Sequence, residues 1–171
     1  SFGSLASIGA QAAGHPADAL IVTGWSHLPP PGGPPVDPSI VGQLASVPYV
    51  RIDGALRPLM FYGPSADQSM VTYDINNLAD QLPRGVFLDG FAASYNPVLT
   101  RATEVTGKVL LHLAENDALF GSDGDAERAS YPQAQVTAQL LPTVGHSMNL
   151  HPENSQGWAM MDDWLRRNHL K

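Results

Sequence analysis

A serine, an aspartate and a histidine in this sequence have the types and the order needed for acyl transfer. Ser1 stands before Phe2-Gly3, Asp117 closes Glu115-Asn116-Asp117, and His146 follows Gly145. A serine hydroxyl is a weak nucleophile until a neighbouring base takes its proton. A neutral imidazole does that work near pH 7, and a carboxylate on its other nitrogen fixes the tautomer. In that scheme Ser1 Oγ attacks a carbonyl, His146 takes the proton and later delivers it to the leaving group, and Asp117 orients the ring. Each residue has an alternative reading. Ser1 could simply cap a helix, and Glu115 and Asp123 are rival acids beside Asp117. Five further histidines compete with His146. His112 lies within an apolar strand and reads as a packed core residue. His15 and His169 sit at helix ends, and His151 opens the last helix. His27 follows a strand, with Trp25 just before it. Both could face a substrate or pack the core.

The elements that must position these residues follow from hydrophobic periodicity. Phe2, Leu5, Ile8 and Ala12 recur at helical spacing over 1–14, and Gly14 and Pro16 end the run. Residues 19–25 form a continuous apolar run, the pattern of a strand buried on both faces. The proline-rich stretch from Pro29 to Pro35 then breaks the pattern. Residues 36–104 are irregular and rich in aromatics, Met and Pro, with helical signals near 38–46, 66–81 and 90–103. A second buried strand is expected at 108–113, a short helix at 124–131 and a third strand at 136–141. A closing helix is expected at 153–168, with Trp158, Met161 and Leu165 on one stripe and Met160 and Trp164 widening it. Alternation of this kind predicts an α/β fold with a parallel sheet covered by helices. In such sheets the sites lie in the loops after the strands, which is where Asp117 and His146 fall.

Composition narrows the function. The 171 residues carry nine basic and sixteen acidic side chains, a formal charge of −7, and no Lys/Arg cluster that could neutralise phosphates. No nucleic-acid surface is expected. No cysteine is present, which excludes disulfides, thiol catalysis and thiolate metal sites. No apolar run approaches the roughly 20 residues of a membrane span. No His or acidic pair has metal spacing, so neither metal nor cofactor is expected.

The motifs resemble those of the α/β-hydrolases. Ser1-Phe2-Gly3 is similar to the second half of the Gly-x-Ser-x-Gly nucleophile elbow, in which a serine opens a helix. Glu115-Asn116-Asp117 is similar to the family's acid loop, and Gly145-His146 to its histidine loop. The resemblance implies the C-terminal half of an α/β-hydrolase fold. Residues 1–28 and 105–171 would form the core, and 29–104 an inserted lid. It implies a Ser1–His146–Asp117 triad with the backbone N–H of Phe2 as one oxyanion-hole donor. Trp25, His27, Tyr62 and Phe91 are candidate contacts for a small, partly apolar substrate.

The elbow's first glycine, the first half of the sheet and the second oxyanion donor are absent from the sequence. The expected partner is therefore an N-terminal fragment of the same precursor, cut from this chain before Ser1 by the serine itself. Any targeting signal would lie on that fragment, so no compartment is assigned. Two other readings stay open at this point. One is an N-terminal-nucleophile hydrolase in which the α-amine of Ser1 is the base. The other is a non-catalytic hydrolase fold that binds a ligand.

Overall fold

The computed structural model describes residues 1–14, 17–33, 38–52, 56–78 and 81–170. His15 and the end of the proline-rich stretch lie outside the described residues.

The chain opens with α1 (Phe2–Ala12), which leads into β1 (Ala19–Thr23). Then come α2 (Pro38–Ser46), β2 (Tyr49–Arg51), α3 (Leu56–Phe61), α4 (Gln68–Asn77), β3 (Gln81–Pro83) and α5 (Arg84–Ala93). A 3-10 turn (Ala102–Glu104) precedes β4 (Gly107–Ala114). The chain ends with α6 (Gly124–Glu127), β5 (Ala134–Leu141) and α7 (Asn154–Arg167). Strands β1, β4 and β5 form a parallel sheet in the order β1-β4-β5, with Val22 opposite Leu111 and Leu111 opposite Ala138.

Strand β4 is apolar apart from Lys108 and His112, and both of its faces are covered. Val109, Leu111 and Leu113 join Ile8 of α1 and Leu20 and Val22 of β1 in the larger core cluster. On the other face, Gly157 of α7 lies against His112 and Leu141. Alternate residues of a strand point to opposite faces, so α1 and α7 sandwich the sheet. Ile8 is fully buried, and truncating such a side chain to alanine costs about 2–5 kcal/mol.

Two expectations need correction. Between β2 and β3 there is a small antiparallel ribbon, Tyr49 opposite Pro83 and Arg51 opposite Gln81. Three residues per strand are too few to show a period. The helix expected near 90–103 lies instead at Arg84–Ala93. Beyond it Tyr95 and Arg101 adopt positive φ angles of 63° and 64°, with Pro97 between them. Non-glycine residues enter that region as single turn positions and do not continue a helix.

Candidate active site

Three local arrangements bring Ser1, Asp117 and His146 to the C-terminal edge of the sheet. The first fixes the start of α1. Ser4 Oγ donates to the carbonyl of Thr23 at 2.8 Å and accepts from its N–H at 3.0 Å, tying the helix to the end of β1. The second and third are the loops after β4 and β5, which are hydrogen-bonded together. Glu115 N–H donates to Leu141 O at 3.0 Å, and Asn116 N–H to Val144 O at 2.9 Å.

The result is a continuous chain of side chains. Ser1 Oγ lies 3.1 Å from His146 Nε2, and His146 Nδ1 lies 2.9 Å from Asp117 Oδ2. Asp117 Oδ1 accepts from the backbone N–H groups of Leu119 at 2.8 Å and Phe120 at 3.2 Å. The imidazole and carboxylate are 8% and 4% exposed, whereas Ser1 is open to solvent. The rings of Phe61 and Phe120 lie 5.7 and 5.8 Å from the His146 ring. The imidazole can therefore neither tilt nor drift far. This arrangement can pass a proton from a serine hydroxyl to a ring whose far side is held by a carboxylate.

The rival groups are engaged elsewhere. Ser1 occupies the N-cap position of α1, but its side chain makes no capping hydrogen bond. Glu115 Oε2 accepts from Thr143 N–H at 2.8 Å, and Asp123 caps α6 through the N–H groups of Asp125 and Ala126. His112 is buried in the sheet, where desolvation lowers its pKa against the opposing effect of Gln139. His169 is exposed beyond the end of α7.

Two cavities flank Ser1. One of about 350 Å³ is lined mainly by apolar side chains, among them Phe2, Trp25, Met60, Phe61, Phe91 and Phe120. The other, of about 540 Å³, lies on the α7 side and is bounded by His112, His146, Asn149, Trp158 and Met161. Trp25 and Phe91 thus border the first cavity. His27 and Tyr62 line neither. His27 is buried, with Nδ1 2.7 Å from Glu127 Oε1 and Nε2 2.7 Å from Thr100 Oγ1. The Tyr62 ring lies 5.7 Å from that of His151, and burial pushes its hydroxyl pKa up, reinforced by Asp74. The Phe2 N–H is among the first amides of α1, which have no intrahelical acceptor. Among the described residues no three His, Asp or Glu side chains cluster as metal ligands, and no helix is long and apolar enough to cross a membrane.

Sequence reasoning passed over two buried residues, Thr100 and Glu127, and placed a third, His151, at the opening of the last helix, whereas it follows the 3-10 turn Met148–Leu150 and α7 starts at Asn154. Each is bonded to a part of the chain remote in sequence or to a loop backbone, and no local pattern marks such contacts.

No protein-family profile and no curated protein matches the chain. Solved structures do. A soluble variant of monoglyceride lipase from Saccharomyces cerevisiae, in complex with a substrate analogue, superposes with a TM-score of 0.74 at 15% identity, covering 98% of this chain and 60% of that one. A thermophilic esterase from Thermogutta terrifontis gives 0.59 at 16%, covering 98% and 62%. DcsB, in complex with its substrate analogue, gives 0.59 at 16%, covering 98% and 63%. The chain thus spans about three fifths of the length of each. At such identities the likeness speaks to fold alone, and the fold of this chain is that of the α/β-hydrolases, a parallel sheet β1-β4-β5 between helices.

Proposed function

We propose that this chain carries the catalytic triad of a serine hydrolase that cleaves an acyl bond in a small, partly apolar substrate. The observation that carries this reading is the unbroken line from Ser1 Oγ through His146 to Oδ2 of Asp117, whose Oδ1 is held by two backbone N–H groups. Ser1 is the nucleophile, His146 the general base and then acid, and Asp117 the group that holds the tautomer. The Phe2 N–H, at the positive end of α1, is one donor to the oxyanion. Two observations favour this over an N-terminal-nucleophile mechanism. An imidazole already sits 3.1 Å from the hydroxyl, and the sheet is parallel rather than a stack of antiparallel sheets. A purely binding role would leave the aligned triad without a purpose.

The apolar cavity beside Ser1 is the acyl site in this reading, and the segment 29–104, which supplies Phe61, Leu82 and Phe91 to its wall, is a lid. An ester is the favoured substrate. A cavity of about 350 Å³ walled mainly by apolar side chains suits an apolar acyl chain.

The remainder of the fold comes from polypeptide outside this chain, in our reading an N-terminal portion of the same precursor. Among the described residues strand β1 pairs with β4 alone, and the match leaves nearly two fifths of each of those structures uncovered. That portion would pair with β1 and supply the second oxyanion donor.

Acyl esters of graded length, assayed with the intact protein, test the proposal. Catalytic efficiency should rise by up to about fourfold per methylene, the equivalent of about 0.8 kcal/mol. It should then fall once the chain outgrows the cavity, and Ser1→Ala should abolish it. Efficiency independent of chain length would sink the acyl-site assignment, and full activity in Ser1→Ala the nucleophile.

A further inference from the structure

The loop that carries His146 is itself held by a second histidine, outside the proton relay. His151 follows the 3-10 turn Met148–Leu150 and is 1% exposed. Its two ring nitrogens meet opposite kinds of partner. Nδ1 lies 3.0 Å from the carbonyl oxygen of Ser147. Nε2 lies 2.9 Å from the backbone nitrogen of Gly63 and 3.2 Å from that of Gly145. A carbonyl can only accept and a backbone N–H can only donate. The ring is therefore neutral, with its proton on Nδ1 and the Nε2 lone pair shared by two amides.

Those amides belong to segments that matter to the site in different ways. Gly145 immediately precedes His146. Gly63 lies two residues after Phe61, whose ring borders the apolar cavity and packs 5.7 Å from the His146 ring. The two glycines face one another so closely that a Cβ on either would collide with the backbone nitrogen of the other. Further bonds hold the same pair of segments together. Ser147 N–H donates to Phe61 O at 2.8 Å, and Ser65 Oγ donates to Thr143 O at 3.1 Å. One buried lone pair thus sits at the junction between the base and the wall of the acyl cavity.

We propose that His151 is a positioning residue. In its Nδ1–H form it clamps the His146 loop to the segment 61–65 and so sets the base against the bound acyl group. The inference rests on the triad reading above. Loss of the acceptor would leave two buried amides unsatisfied and allow His146 and Phe61 to separate.

Two substitutions divide the functions of the ring. His151→Gln can place an oxygen near Nε2 and keep the acceptor. His151→Asn can keep only a donor near Nδ1. With active sites counted by fluorophosphonate titration in the intact protein, kcat per titrated site should stay within about threefold for Gln and fall about 10- to 100-fold for Asn. KM should rise for Asn alone, because Phe61 loses its anchor. Imidazole 15N shifts of the unsubstituted protein should show Nδ1 protonated and Nε2 bare at position 151, a readout independent of activity and of whether the variants fold. Equal losses in the two variants, unchanged kcat per titrated site in Asn, or a protonated Nε2 would each overturn the proposal. Normal turnover in His146→Ala would overturn the triad, and with it the clamp's role in catalysis. The 15N result separates that failure from a wrong tautomer.

Discussion

Asparagine at position 117 preserves the shape of the acid and reverses the logic of the relay. Asp117 Oδ1 accepts from Leu119 N–H at 2.8 Å and Phe120 N–H at 3.2 Å, while Oδ2 faces His146 Nδ1 at 2.9 Å. Two backbone donors require an oxygen, so the asparagine amide must turn its carbonyl toward them and its NH2 toward Nδ1. Nδ1 then becomes the acceptor, and the ring proton moves to Nε2. That nitrogen, 3.1 Å from Ser1 Oγ, can no longer take the serine proton. A wrong tautomer of this kind lowers kcat by about 10⁴, which is about 5 kcal/mol of transition-state stabilisation. KM should change little, because position 117 does not line the apolar cavity. The assay is steady-state turnover of a chromogenic ester by the intact protein, with a thermal melt to confirm folding. Glu115→Gln is the control, since Glu115 bonds Thr143 and not the histidine; its kcat should stay within about threefold. A folded Asp117→Asn variant with kcat within tenfold of the parent would refute the argument.

Three further outcomes follow from buried groups. Among the described residues, His27→Ala leaves the fully buried Glu127 carboxylate with only the His27 backbone N–H, at 2.8 Å. A loss of about 3–5 kcal/mol is expected, and an unchanged denaturation midpoint would count against a buried pair. His112 has its pKa lowered by burial, so the unfolded chain binds its proton first. Its contribution to stability is complete above the unfolded value of about 6.5 and is lost as pH falls toward the folded value. Melting temperature should drop on acidification, and His112→Gln should flatten that slope; identical slopes would refute it. At Gly90 a Cβ would strike the Phe2 ring. Gly90→Ala should therefore push that ring into the acyl cavity and lower efficiency for the longest accepted esters by about fourfold per lost methylene, whereas an unchanged chain-length profile would show the ring yielding elsewhere.

The parallel core was legible because each strand announced itself. Residues 19–22 and 109–111 are unbroken apolar runs, and β4 buries every residue from Val109 to Ala114. The closing helix was legible in extent but not in orientation. Trp158, expected on the inner stripe, is 54% exposed beside the larger cavity, while Trp164 is 3% exposed. The cause is Gly157, where any side chain would crowd His112 and Leu141. The helix approaches the sheet most closely at its smallest residue, which a hydrophobic pattern does not register. At the site, the order of Ser1, Asp117 and His146 matched positions that the topology brings together, because all three stand at strand ends or at the start of a helix. The links to His27 and His151 were not legible. Glu127 and Gly63 lie 100 and 88 residues away from them, and in the second case the partner is a backbone amide that any residue but proline would offer.

If Ser1 is a nucleophile activated by His146, it should react covalently with an electrophile selective for activated serines. Treating the intact protein with a fluorophosphonate and mapping the adduct by mass spectrometry should place a single phosphonyl group on Ser1. The same treatment of His146→Ala should give little or no adduct. Label on another residue would show that Ser1 is not the nucleophile, and undiminished labelling of Ser1 in the absence of His146 that the histidine does not activate it.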